Sequence, residues 1–288
     1  MRNFKFNKIY VIESLKEDEH KTGKELYEDI IRRRQMSNSD RFISEYKPIN
    51  NKIEYKALLS EIEKECSNGI LPILHFEIHG FSDKSGLALN NNESINYLEL
   101  AEDLSRINIK TGNNLFLTLA VCHGAYLLET IKIDKPAPYL SFLGSFEKIN
   151  NDDILYRYSE FYNEFLMNFN LYSSLKIFFD ANLIEENKFS FIDTEETFKT
   201  VYKNYLLENT SKQGIQKRIE DSITENNLTL NSRQQKRKFG RDFEKQVNQT
   251  KQKYYTEHKD IFFMTKEFPH NEERFKLPKN YSGIINYS

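Results

Sequence analysis

The chain has 288 residues, 39% of them hydrophobic and 29% charged, the balance of a soluble globular protein rather than a disordered or fibrous one. Its longest apolar runs, such as 115–121, fall well short of the roughly 20 residues a membrane helix needs, and the N-terminus shows no signal-peptide pattern, so a cytoplasmic setting without a membrane partner is expected. Two cysteines, Cys66 and Cys122, are too few for a disulfide framework and point to reduced thiols.

The net charge of -2 conceals an asymmetry, since residues 211–288 hold 16 Lys+Arg against 10 Asp+Glu and the first 210 residues hold 25 against 33. The C-terminal part is basic and the body acidic.

In chain order, the run 8–15 predicts a first strand, because Ile9, Tyr10, Val11 and Ile12 are β-branched or aromatic. A helix is predicted over 22–35, where Leu26, Ile30 and Ile31 keep helical spacing and Arg32, Arg33 and Arg34 suit its negative end. A second helix follows over 52–66, stopped by Ser67, Asn68 and Gly69. The segment 70–78 reads as a strand buried in a mostly parallel sheet, with Leu74, Phe76 and Ile78 on one face. Its other face carries His75, Glu77 and His79, a polar row that something must satisfy or use. A small hairpin and a helix over 96–108 lead to a second central strand, 115–122, which ends at Cys122. His123 and Gly124 then open a helical pattern over 125–131, and a further strand is predicted over 139–143. Beyond residue 152 come amphipathic helices, one short strand over 189–192 and a capped helix from Thr194. The aromatics Tyr156, Phe161, Tyr162, Phe165 and Phe169 fit core positions.

In an open α/β sheet, ligands bind outside the carboxyl ends of the strands, and here two such ends carry His79-Gly80 and Cys122-His123-Gly124. A thiol with a free pKa of about 8.5 needs a nearby base or helix N-terminus to act as a nucleophile. His79 suits the base, and the helix after Cys122 suits the second role. Gly80, lacking a Cβ, lets its N–H approach an oxyanion, with the N–H of Cys122 as the other donor.

An apolar strand ending in His-Gly, then a hairpin and helix, then an apolar strand ending in Cys resembles the caspase-like (clan CD) peptidases, which include caspases, metacaspases and bacterial CHAT peptidases. The matching residues run from His75 to Gly80 and, with Cys122 standing 43 residues after His79, from Ala120 to Gly124. The resemblance covers about half the chain. It implies a three-layer α/β caspase-like fold with a mostly parallel central sheet, His79 and Cys122 as a catalytic dyad, a protein substrate and no cofactor. It also implies a gated effector of a bacterial antiviral or programmed-death system, switched on by a partner protein or a nucleotide second messenger. One departure bears on specificity. Metacaspases carry an acidic residue two before the nucleophile and caspases a Gln, whereas Ala120 stands there, so Glu77 is left as a candidate wall of the specificity pocket.

Other readings stand beside this one. The fold could serve as a catalytically silent sensor or scaffold. A zinc-dependent hydrolase would use His75, His79, Cys122 and His123, although a four-residue step along a strand separates His75 from His79 by about 13 Å. The basic cluster Arg233, Lys236, Arg237, Lys238 and Arg241, joined by Lys217 and Arg218, reads as a solvated helix face or a ligand- and partner-binding patch; nucleic acid is not expected there, because no stacking-aromatic motif accompanies it. Cys66 reads as structural. The expected organisation is a peptidase domain over 1–210 and a basic, mainly helical C-terminal extension over 211–288.

Overall fold

β1 (Lys8–Ser14) is buried at every position, which suits a strand at the centre of a sheet covered on both faces. In the computed structural model, which describes residues 4–180 and 187–285, β1 pairs in parallel with β2 (Ile43–Pro48) on one side and β3 (Pro72–Gly80) on the other. β6 (Phe116–Ala120) lies parallel to β3, and β7 (Ser141–Ser145) parallel to β6. β8 (Phe189–Asp193) closes the far edge antiparallel to β7. The order β2-β1-β3-β6-β7-β8, with β4 (Gly86–Ala88) and β5 (Ser94–Asn96) as a hairpin on the end of β3, makes an eight-stranded, mostly parallel sheet.

Helices cover both faces, so the α/β, three-layer arrangement read from the sequence is the one the chain adopts. On one face lie α1 (Thr22–Leu26), continued through a π turn (Tyr27–Ile31) into α2 (Arg32–Ser37), and the pair α5 (Asn151–Asn168) and α6 (Leu171–Asp180). Ile9, Val11, Ile73, Phe116 and Leu143 project to this side and meet Tyr158, Phe161, Tyr162 and Phe165 of α5. Each such side chain, fully buried, contributes about 1.5–3 kcal/mol. The opposite face belongs to α3 (Lys52–Ser67) and α4 (Tyr97–Lys110), and the Tyr10 hydroxyl donates to Glu65 of α3 across it. Asn51 and Asn96 cap these two helices by accepting from the N–H groups of Glu54 and Glu99.

Three local expectations change. β2 is a strand that residues 43–48 do not advertise, since only one of its six positions is fully buried. The helix predicted over 22–35 is interrupted by the π turn. After Cys122 the chain forms a seven-residue 3₁₀ helix (Gly124–Thr130) instead of an α-helix, because Tyr126 and Ile131 donate three residues back, to His123 and Leu128.

The chain divides into two compact units, one of Met1–Ile131 with Ala137–Thr194, the other of Lys132–Pro136 with Glu195–Ser288. The whole sheet belongs to the first. The second is helical, with α7 (Thr194–Thr210) running into it, followed by α8 (Lys212–Glu225), α9 (Arg233–Phe263) and the short α10 (Asn271–Arg274) and α11 (Ser282–Ile285). Phe198, Tyr202, Tyr255, Phe262 and Phe263 form its aromatic core. Among the described residues, no helix is long and apolar enough to cross a membrane.

Candidate active site at the ends of β3 and β6

The β3–β6 register pairs His75 with Thr118 and Glu77 with Ala120 and stops there, two residues short of His79 on one strand and of Cys122 just past the end of the other. By strand alternation His79 falls on the face of β3 that carries Ile73, and Cys122, in the turn after β6, packs against the core cluster that holds Ile73, Phe116 and Ala120. The two strand ends touch through backbone. A Cβ added to Gly80 would fall 1.7 Å from the carbonyl oxygen of Cys122, so only glycine permits this approach.

His79 is largely open to solvent, and its Nε2 is hydrogen-bonded to both carboxylate oxygens of Glu19 at 2.9 and 3.0 Å. Glu19 is itself placed by the Lys16 N–H, which donates to it at 2.7 Å. Burial works to raise the Glu19 carboxyl, but the Lys16 N–H and the His79 ring outweigh it and hold the group below the usual carboxylate range. With Nε2 held, Nδ1 is the ring nitrogen left for chemistry.

Cys122 is half-buried, and its sulfur accepts from the Ile149 N–H at 3.4 Å and lies 3.8 Å from the Ile149 carbonyl oxygen. A peptide N–H of the segment after β7, rather than an α-helix end, is the positive group aimed at the sulfur. Among the described residues, no hydrogen bond joins the sulfur to the His79 ring. His123 is in the left-handed conformation, φ 60°, which few non-glycine residues adopt. Its N–H donates to the Glu147 carbonyl, its Nδ1 bonds to the Phe146 carbonyl, and its own carbonyl accepts from the Tyr97 hydroxyl. His123 thereby pins the turn after Cys122 to the segment that carries Ile149. Burial, with Cys122 nearby, pushes the Tyr97 phenol up.

Deeper along the same face the polar row closes on itself. The Thr22 hydroxyl donates to Glu77, the other Glu77 oxygen bonds His75 Nε2 at 2.9 Å, His75 Nδ1 bonds Thr118 Oγ1 at 2.8 Å, and Thr118 bonds the Tyr162 hydroxyl at 2.7 Å. Neighbouring Glu13 accepts from the N–H groups of Gly23 and Lys24 at the start of α1 and from the Tyr46 hydroxyl. Glu77 and Ala120, read from the sequence as lining a specificity pocket, are 3% and 4% exposed, and the glutamate is paired through both oxygens. The four residues of the zinc reading are dispersed in their commitments: both His75 nitrogens and His123 Nδ1 already have partners. Among the described residues, no group of three or more His, Cys, Asp or Glu is arranged to hold a metal ion.

Cys66, by contrast, is buried in α3, and burial together with Glu65 and Glu63 pushes its thiol up to about 12. Glu19 is the site residue that sequence reasoning missed. It lies in a charged loop 60 residues before His79, with no local pattern to single it out from Glu17 or Asp18. In the basic C-terminal cluster, Arg233, Lys236, Arg237, Lys238 and Arg241 all lie exposed on α9.

No protein-family model and no curated protein matches the chain.

Proposed function

We propose that the chain is a cysteine endopeptidase of the caspase-like kind, working through His79 and Cys122. The observation that supports this most is the abutment of the two strand ends at Gly80, which brings an imidazole-bearing and a thiol-bearing segment together at the carboxyl edge of the sheet. His79 takes the thiol proton, the sulfur attacks the scissile carbonyl, and the backbone N–H groups of Gly80 and Cys122 hold the oxyanion. The C–N bond then breaks, the amine leaving with the proton from His79. Water, deprotonated by His79, hydrolyses the thioester and frees the thiol. Glu19 acts as a positioning residue that fixes the ring. The missing sulfur–imidazole bond fits a free enzyme, because catalytic hydrogen bonds are often long until substrate arrives.

The proposed substrate is a protein, and the proposed setting is a bacterial antiviral or programmed-death system in which a partner protein or nucleotide second messenger opens the site. A second reading, a catalytically silent sensor or scaffold, is favoured by one observation: the sulfur is engaged by Ile149 and not by His79. Cleavage of a diverse peptide library by the wild type and by Cys122→Ala, each with and without candidate activators, separates the two. Cleavage that vanishes in the variant supports the peptidase. Equal behaviour of the two proteins, with a Cys122 inert to alkylation, supports the scaffold.

A further inference from the structure

α8 and α9 lie beside each other in the second unit and leave a groove of about 610 Å³ between them. Its floor is apolar. Ile215, Ile219 and Ile223 follow one another at four-residue steps on α8, a single stripe rising about 6 Å per step. Its rim is basic: Arg233, Arg237 and Arg241 repeat the same step on α9, with Lys236 and Lys212 beside them, against the two acids Glu220 and Glu244.

Two features of α9 are costly for the helix itself. Arg233 and Lys236 occupy its first turns, where the helix dipole disfavours cations, and no acidic residue stands in the first turn to offset them. Among the described residues, no ion pair engages the side chains of Arg233, Lys236, Arg237 or Arg241. Gly240, facing the groove in mid-helix, costs about 1 kcal/mol relative to alanine. Neither backbone nor packing asks for it there. A Cβ at that position would meet only Ile219 Cδ1, at an ordinary 3.7 Å. The glycine keeps the floor open.

We propose that this groove docks an acidic amphipathic helix of a partner protein, its apolar stripe on the three isoleucines and its carboxylates along the arginine rim. The charge of the rim selects an anionic partner, and the isoleucine floor selects one with an apolar face. A nucleic-acid strand would instead call for aromatic platforms, and no aromatic side chain lines the groove. The proposal stands independently of the peptidase reading.

The test uses the full chain and fluorescent peptides of about five helical turns. One carries leucines at four-residue steps flanked by glutamates, a second replaces the glutamates with lysines, a third replaces the leucines with serines, and a single-stranded RNA oligonucleotide of similar charge serves as competitor. The first peptide is expected to bind at least 30-fold more tightly than either altered peptide and to resist the RNA. Arg237→Glu with Arg241→Glu should weaken it at least 10-fold. Gly240→Leu should fill the floor and weaken it comparably while leaving the thermal midpoint unchanged or higher, which separates lost docking from lost folding. Equal binding of the leucine and serine peptides, tighter binding of the RNA, no binding of the first peptide at 100-fold the concentration that saturates a designed control groove, or indifference to Gly240→Leu would each overturn the proposal.

Discussion

His75 and His79 stand on the same face of the same strand, two pleats apart, and carry one side chain into opposite circumstances. His75 is fully buried, and both of its nitrogens are bound, to Thr118 and Glu77. His79 is open to solvent, one nitrogen steered by Glu19 and the other uncommitted. The two cysteines repeat the contrast, Cys66 sealed in α3 and Cys122 half-buried beside a peptide N–H. Residue type alone therefore says little about chemistry in this chain. What separates the inner residues from the outer is burial, which shuts His75 and Cys66 away from solvent and leaves His79 and Cys122 in reach of it.

The contrast breaks most sharply if the two histidines fail to divide between activity and stability. Cys122→Ala and His79→Ala should each lower peptide cleavage by at least about 1000-fold, with thermal midpoints close to that of the wild type. His75→Ala should do the reverse. Removing a buried ring that bridges Glu77 and Thr118 leaves both unpaired and opens a cavity, at a cost of about 3 kcal/mol, or a fall in Tm of roughly 6–12 °C by calorimetry. A His75→Ala protein as stable as the wild type would show that the inner network is not structural. Alkylation sharpens the cysteine half. At pH 8, iodoacetamide followed by peptide mass mapping should label Cys122 at least about 100-fold faster than Cys66 in the folded protein, and at equal rates after unfolding.

Glu19 gives a smaller effect. Glu19→Gln should lower kcat about 10-fold with KM little changed, and Glu19→Asp should restore part of the loss; equal changes in kcat and KM would deny it a positioning role. The pH dependence of stability has a definite sign. Because the folded Glu19 carboxyl lies below its ordinary value of about 4.3, its pairing contributes fully above that pH and is lost as pH falls through the lower folded value. Unfolding curves taken from pH 5 to pH 3 should therefore decline less steeply in Glu19→Gln than in the wild type.

Much of the sheet was legible in the residues. β1, β3 and β6 are uninterrupted apolar or alternating runs whose register follows once they are neighbours, and the hairpin is announced by Gly86 and the asparagines at 90–92. β2 was not, because an edge strand covered by neighbours rather than by core can be as polar as Ser44, Glu45 and Lys47. His79, Gly80 and Cys122 stood out because each sits where an apolar run stops. Glu19 did not, since only the folded chain brings a loop carboxylate to a ring 60 residues away. The segment after Cys122 looked helical by composition, yet three-residue hydrogen bonding and the left-handed His123 make it a tighter coil.

The contact between Gly80 and the Cys122 carbonyl also limits what this edge can accommodate. With no room for even one carbon between the two strand ends, any side chain at position 80 would have to push the imidazole-bearing and thiol-bearing segments apart. The sulfur's other neighbour, Ile149, is held to it by hydrogen bonding rather than by such a steric stop, so the two sides of the thiol are secured by different forces.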